Sequence, residues 1–526
     1  MRPMRRRAVL SAAGAGWLAT ACGGGAARPR APRPAAAPAS VELAPAPAPV
    51  AAPGAGPALR SAELLADAAL LRRTYEALHP GLYRYTTPAR LAARYAELER
   101  ALGRDQTLQE AYVAIAAFTA SVKCGHSYPN FFNQPKEVAA ALFAGLPRLP
   151  FFFRWLGGRM VVTRSFAGDA RLAPGAEVLA IDGVPAPTLL ARLLPLARAD
   201  GSNDAKRVSV LEARGESKYE AFDVYYPMLF PPRGGAVELL VADARTGARA
   251  TLRAATVGQA EREAAVEARE KARRGGDDVA PWELRFLDDG LALLTMPTWA
   301  LYRTAWDWRG FLDEAFATLA RRGARDLVID LRGNEGGLSV GDVLLSHLSA
   351  REVRLDQFRR YVRYRAVPAD LAPHLDTWDR SFLDWGDAAV DAGGGFYRLT
   401  RYDDDERGSV VRPARPTFAG RAWVLVDASN SSATFEFALA VRDHRLGTLV
   451  GQPLGGNRRG INGGAFFFLR LPGSKIEVDV PLIGFYPDGE RPDAGLAPDV
   501  AVAPAAADVA AGADVELAAV RAQIRR

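Results

Sequence analysis

Side chains able to act as nucleophiles, bases or metal ligands are few in this chain, and their types narrow the chemistry. Five histidines occur, His79, His126, His347, His374 and His444, beside two cysteines, Cys22 and Cys124. Two thiols exclude a disulfide scaffold and a thiolate zinc site. No HExxH pair and no GxxxxGKS/T loop is present, so metal-assisted hydrolysis and nucleotide chemistry lack their usual parts. No metal and no cofactor is expected. What remains is nucleophilic catalysis by serine, which needs a hydroxyl, a base to take its proton and backbone donors for the oxyanion.

Two serines stand out. Gly337-Leu338-Ser339-Val340-Gly341 is a literal GxSxG, the pattern of a nucleophile elbow in an esterase. The elbow needs a strand running straight into the turn, and here Arg332–Gly336 intervene. Ser432 lies in Ala428-Ser429-Asn430-Ser431-Ser432-Ala433, between an apolar run and a helical one. A serine at such a junction sits among free backbone N–H groups, where negative charge is favoured. The same residue types also cap helices whatever the function, so nucleophile and cap both remain open on these grounds.

The elements that must position these groups follow from composition and period. The chain has 526 residues, 49% hydrophobic and 24% charged, which is ordinary globular composition. Domains of roughly 100–200 residues imply two to four of them. Four of the charges behind the formal +7 are Arg2, Arg5, Arg6 and Arg7, leaving +3 for the rest. The remaining arginines are scattered among acids, so no nucleic-acid partner is expected. Those four precede an apolar stretch, Ala8–Ala21, too short to span a bilayer. This is the layout of a signal peptide over 1–21. Leu18-Ala19-Thr20-Ala21-Cys22 resembles a bacterial lipobox, so Cys22 is the expected lipidation site and the cell envelope or periplasm the expected address. Residues 22–58, nearly all Ala, Pro, Gly and Arg, read as a tether.

Helical spacing runs through Leu64, Leu71, Tyr75 and Leu78 and stops at His79-Pro80-Gly81. Two more helices are expected over Pro88–Leu102 and Leu108–Val122, the last ended by Gly125 as its left-handed stop. His126 then falls on a loop. Residues 146–258 give short strands and have the length of a small domain, followed by a charged helical connector over 259–283. From Leu284 strands and helices alternate. Asp326–Leu331, Trp423–Val426 and Thr448–Val450 are buried-type strands, with helices over Phe311–Leu319, Gly341–Leu348 and Phe435–Val441. A hairpin, Ala465–Leu469 with Ile476–Val480, is expected to close that layer.

Several motifs together carry a family resemblance. Asp330-Leu331-Arg332-Gly333-Asn334-Glu335-Gly336-Gly337 resembles the DLRGNGGG signature of tail-specific (C-terminal-processing) serine proteases. Ser432–Ala438, Leu449-Val450-Gly451 and Gly455-Gly456 resemble the nucleophile region of that family, and Gly495-Leu496-Ala497-Pro498-Asp499 its closing GxxPD. His79-Pro80-Gly81-Leu82-Tyr83 and Cys124-Gly125-His126-Ser127 resemble its tricorn-core-like branch, where a DGH motif supplies the base. The motifs run in family order from about residue 60 to 505. The resemblance implies an α/β fold: a mainly parallel-sheet protease core over 284–505, a helical N-terminal part over 59–145 and an inserted PDZ-like β-rich domain over 146–258, with a C-terminal helix over 506–526.

It also implies roles. Ser432 would be the nucleophile, His126 the general base, and the N–H groups of Ala433 and of Gly336 or Gly337 the oxyanion hole. The substrate would be a peptide or unfolded protein tail, with Arg458 or Arg459 available to its carboxylate. Three departures stand out. The serine–lysine branch places a lysine 25 residues after the serine; here that residue is Asn457. The histidine branch has Glu three residues before the GxxPD glycine; here it is Pro492, leaving Asp493 and Glu490 as candidates to orient His126. Cys124 stands where Asp is usual. A non-catalytic ligand- or peptide-binding member of the fold is the alternative, and an esterase using Ser339 the second.

Overall fold

A computed structural model describes residues 58–264, 267, 281–287, 290–302, 304–355, 358–401 and 410–526. The signal peptide, Cys22, the tether as far as residue 57 and most of the charged connector lie outside the described residues.

The centre is a six-stranded sheet in the order Val500–Ala501, Thr448–Gly451, Arg421–Val426, Asp326–Asp330, Leu291–Thr295, Glu283–Phe286. All pairings are parallel except that of the edge strand Glu283–Phe286. The inner strands read as unbroken apolar runs because both faces are covered. Leu327 and Ile329 pack with the helices Trp308–Arg321, Val340–Leu348 and Ala433–Asp443 on one face. Val328 between them faces the opposite way, with Leu425, Val450 and Val520 of the helix Val515–Ile524. That alternation is the period of two made visible. The expected α/β core is present, and its helices start and stop within a few residues of their sequence-derived bounds.

The expected C-terminal helix is two. Ala506–Ala511 ends at Gly512, whose φ is +63°, and Asp514 caps Val515–Ile524 by accepting from the Leu517 N–H at 2.9 Å. A left-handed glycine followed by a capping aspartate is a stop and a restart. The first piece packs Ala506 against Leu156 and Val161 of the β-rich block, the second against the parallel sheet.

The hairpin differs from expectation. Asn462–Arg470 and Glu477–Pro487 pair as an antiparallel hairpin, but they do not close the parallel sheet. They form the middle of a second, antiparallel sheet with Leu375–Asp376, Phe358–Val362, Phe396–Leu399 and Ala389–Gly393. An alternating pattern establishes that strands pair, not which sheet they join. Here the apolar face Phe467, Leu469, Val478 and Val480 is claimed by Leu64, Leu71, Tyr75 and Leu78 of the first helix, in one continuous core.

The same core takes in the β-rich block. Its sheet runs Phe151–Leu156, Arg159–Ser165, Glu177–Ile181, Ala236–Ala242, Arg249–Ala255, antiparallel throughout. Three helices, Ala186–Leu193, Asp204–Val210 and Ala221–Leu229, lie within the block's sequence.

The helical part is locked to the second sheet by Asp67. This fully buried carboxylate accepts from the Gly473 and Ser474 N–H groups, both at 2.7 Å, at the hairpin turn. Asp67→Ala leaves the buried Ser474 N–H and the half-buried Gly473 N–H without their acceptor and is expected to cost about 2–3 kcal/mol. Urea denaturation should show this as a lower midpoint at unchanged m-value.

Candidate active site

The carboxyl ends of parallel strands are where α/β sheets collect their sites. Asp326–Asp330 and Arg421–Val426 are neighbours, with Asp330 opposite Leu425. The two loops that leave them, Leu331–Gly337 and Asp427–Ser432, therefore emerge side by side. They are stitched together by buried amides. Asn430 Nδ2 donates to the Leu331 carbonyl at 2.6 Å and the Asn334 carbonyl at 3.0 Å, and Thr434 Oγ1 donates to the same Asn334 oxygen at 3.0 Å. Asp427 accepts from the Ser429 N–H at 2.9 Å and the Gly333 N–H at 3.3 Å.

At the top of this bracket sits Ser432, immediately before the helix Ala433–Asp443. Its φ is +51° and ψ −130°, and its side chain makes no capping bond to the helix. The cap reading therefore fails: a capping serine takes extended backbone and uses its oxygen on the helix. A non-glycine residue in this region carries strain of order 1–3 kcal/mol, which surrounding structure must over-determine. The stitched loops do so.

Gly336 is pressed against the same point. A Cβ there would lie 2.8 Å from the Ser431 carbonyl oxygen, 3.0 Å from the Ala433 nitrogen and 3.1 Å from Ser432 Cβ. Ala433 opens its helix, so its N–H has no acceptor within the helix. The Gly336 N–H is already engaged, donating to Asn334 Oδ1 at 2.9 Å. Gly337, at φ +143°, leaves no room for a side chain against the Trp299 backbone. Of the three expected oxyanion donors, Ala433 and Gly337 are the pair without a competing acceptor among these contacts.

His126 arrives from the helical part. Its helix, Leu108–Ser121, ends not at Gly125 but at Lys123, whose φ is +59° and whose N–H donates to Ala120 at 3.0 Å. Gly125 is small for another reason: a Cβ there would meet Asp200 Oδ2 at 2.8 Å. Its N–H donates to Asp200 Oδ1 at 2.9 Å, and its carbonyl accepts from Arg198 at 2.9 Å. The His126 ring lies 5.9 Å from that of Phe466, and its Nδ1 is sealed off with no hydrogen bond. Burial lowers its pKa below the ordinary histidine value, and the Asp200 carboxylate opposes that fall.

Glu335 joins this loop to the serine loop. Its carboxylate accepts from Lys206 at 2.7 Å and Arg198 at 3.2 Å, and its carbonyl accepts from Ser431 Oγ at 3.2 Å. The side chain is half exposed, and the ammonium of Lys206 and the guanidinium of Arg198 outweigh what desolvation there is and hold the carboxyl well below its ordinary range. Lys206, itself buried, also donates to the Ser429 carbonyl at 2.9 Å.

The other expected residues lie elsewhere. Asp493 is engaged by the Ser202 N–H and Oγ, both at 2.8 Å, and by Asn457 Nδ2 at 2.7 Å. Asn457 also donates to the Asp200 carbonyl at 3.2 Å, so Asp493 supports the segment that carries Asp200 rather than bonding to His126. Glu490 is exposed. Arg459 donates to the Arg491 carbonyl at 3.2 Å, and the Arg458 N–H to Ala494 at 2.9 Å. Ser339 heads the helix Val340–Leu348 and borders, with Asp342, Glu436 and Ala433, a cavity next to the serine loop that no histidine lines. Asp200, Arg198 and Lys206 were not anticipated; no local pattern marks them. Glu335 could have been noticed as an acid where the signature has glycine.

Comparison with known proteins decides the family. Residues 290–502 match the profile of peptidase family S41. The parallel-sheet core is a family S41 peptidase domain. Both loops just described, at the carboxyl ends of its inner strands, lie within the matched residues. Two solved structures of similar fold are mature CPAF complexed with lactacystin and mature CPAF alone. The first shares 14% identity over 86% of this chain and 95% of its own, with a TM-score of 0.58. The second shares 15% over 86% and 94%, at 0.54. At such identity they establish a shared fold. No curated protein sequence gives a significant match.

Gly336→Ala puts a methyl group against the Ser432–Ala433 peptide, and the observed φ of +101° strains any side chain. It is expected to cut reaction of Ser432 with a fluorophosphonate probe by about 100-fold. Intact-protein mass spectrometry over time reads this directly.

Proposed function

We propose that this S41 peptidase is an exported serine endopeptidase that cleaves peptides or protein tails through an acyl-enzyme on Ser432. One observation carries the reading. A serine with strained backbone and an uncapped hydroxyl stands beside the free N–H of a helix start, which a structural cap would not need. His126 is the general base that takes the Ser432 proton and returns it to the leaving amine. The N–H groups of Ala433 and Gly337 hold the tetrahedral oxyanion, and water then releases the acyl group.

Asp200 is the carboxylate that balances the imidazolium formed in the transition state. This role was expected of Asp493 or Glu490, and the contacts around Gly125 support Asp200 instead. The β-rich block is read as a PDZ-like module that captures the substrate chain by strand addition, with Arg458 or Arg459 available to a carboxylate. The leader supports export, and Cys22 supports lipid anchoring at the envelope through the tether.

Purified mature protein is expected to label with a fluorophosphonate probe. Ser432→Ala should abolish labelling, and His126→Ala should slow it by about 100-fold or more. Labelling that survives in Ser432→Ala would remove the assignment.

The pH dependence follows from the burial of His126. A base whose pKa lies below the ordinary value near 6.5 stays neutral, and active, on acidification past that point. The acid limb of the labelling rate should therefore lie below pH 6.5. Asp200→Asn keeps an acceptor for the Gly125 N–H but removes the charge that favours imidazolium. The limb should move lower still while the plateau rate falls about 10- to 100-fold.

A further inference from the structure

His79 is a second histidine close to the proposed base, and nothing above gives it a role. It ends the first helix, its N–H donating to the Tyr75 carbonyl at 3.0 Å, and is 1% exposed. Its Nδ1 lies 3.1 Å from the Gly81 N–H. A backbone N–H can only donate, so Nδ1 is the acceptor and the ring proton resides on Nε2. That Nε2 lies 2.8 Å from Oγ of Ser127, which is wholly buried. We infer that His79 is a positioning residue for His126: its Nε2–H donates to Ser127 Oγ and fixes the turn that carries the base. The inference rests on reading His126 as that base.

Burial, together with the positive charge of Arg84, drives the His79 pKa down to about 3 and so favours the neutral ring, whose tautomer the Gly81 N–H selects. It is also held in place, its centroid 5.3 Å from the Tyr75 ring. Ser127 follows His126 directly, and its N–H donates to the Cys124 carbonyl at 3.3 Å, closing the turn. A fixed Ser127 therefore fixes the peptide on which His126 is mounted.

The surroundings are built around the same turn. A Cβ on Gly81 would collide with the Asn462 amide, 2.3 Å from Oδ1. Asn462 Nδ2 in turn donates to Cys124 Sγ at 3.4 Å, and the next residue, Gly463, faces the His126 ring with its Cβ position 3.9 Å from Cε1. Two segments far apart in sequence, 79–81 and 462–463, thus converge on residues 124–127. An ordinary core position would be filled by an apolar ring of similar size. Here both ring nitrogens are spent on loop geometry.

The test compares His79→Leu, His79→Gln and Ser127→Ala for labelling by a fluorophosphonate probe, resolving the maximal rate from the probe's apparent affinity. Glutamine can present an N–H near the place of Nε2; leucine cannot. The expected result is a fall of about 10-fold or more in maximal rate for His79→Leu and Ser127→Ala. Apparent affinity should hold, and His79→Gln should stay within about threefold of wild type. The double variant His79→Leu/Ser127→Ala should be no slower than the slower single one. Wild-type rates in folded His79→Leu, multiplying effects in the double variant, or a His79→Gln as slow as His79→Leu would each overturn the inference. If His79→Leu does not fold, Ser127→Ala alone decides, and a full rate there is equally fatal. His126→Ala separates the two readings. Undiminished labelling in that variant refutes the base itself, whereas a silent His126→Ala beside a fully active His79→Leu refutes only the role of His79.

Discussion

The site depends on one constraint: a serine must be held at positive φ between a strand and a helix. Strain of that kind relaxes unless neighbours leave the chain no alternative. The restraint comes from the adjacent loop, through Asn430 and Thr434 reaching across to the Leu331 and Asn334 carbonyls. These bonds are buried, so breaking them would strand polar groups out of water. They exist because two inner strands of a parallel sheet release their chains at the same edge. The glycines of the signature then follow as a steric consequence, since Gly336 touches the serine peptide itself.

Around that bracket the charges form a short circuit of opposite signs. Glu335 is clamped between Lys206 and Arg198, both from the β-rich block, while its own residue belongs to the signature loop. A buried ammonium such as Lys206 needs an anion, and an anion beside the proposed oxyanion site needs neutralising. Each satisfies the other. The same clamp links the β-rich block to the loop beside Ser432. Asp200 extends the arrangement to His126, opposing the loss of basicity that burial imposes.

His126 itself is delivered from more than 300 residues away in sequence. Its loop is gripped on one side by the β-rich block, through Asp200 and Arg198, and on the other by the end of the first helix and the second sheet. By packing under the N-terminal helices the hairpin 462–487 forms a rigid wall against which the histidine loop can rest, with Phe466 and Gly463 facing the ring.

Much of this was legible in the sequence alone. The parallel core follows from unbroken apolar strands alternating with amphipathic helices, because burial on both faces leaves no polar period. The two signature loops could be placed at strand ends, and Ser432 at a strand–helix junction. Motif order brought His126 forward as the partner. What the sequence could not decide is which groups meet across the gaps between elements. Ser432 reads as a cap or a nucleophile until its φ is known, since local residue preference is the same for both. Glu490 and Asp493 were near the right motif, yet folding carries Glu490 to the surface and commits Asp493 to Ser202 and Asn457. Asp200 sits in an unremarkable turn, and only the close approach of Gly125 gives it meaning. The period of a strand determines its face but not its sheet, so the destination of the hairpin was likewise settled by packing, in the core it shares with the first helix.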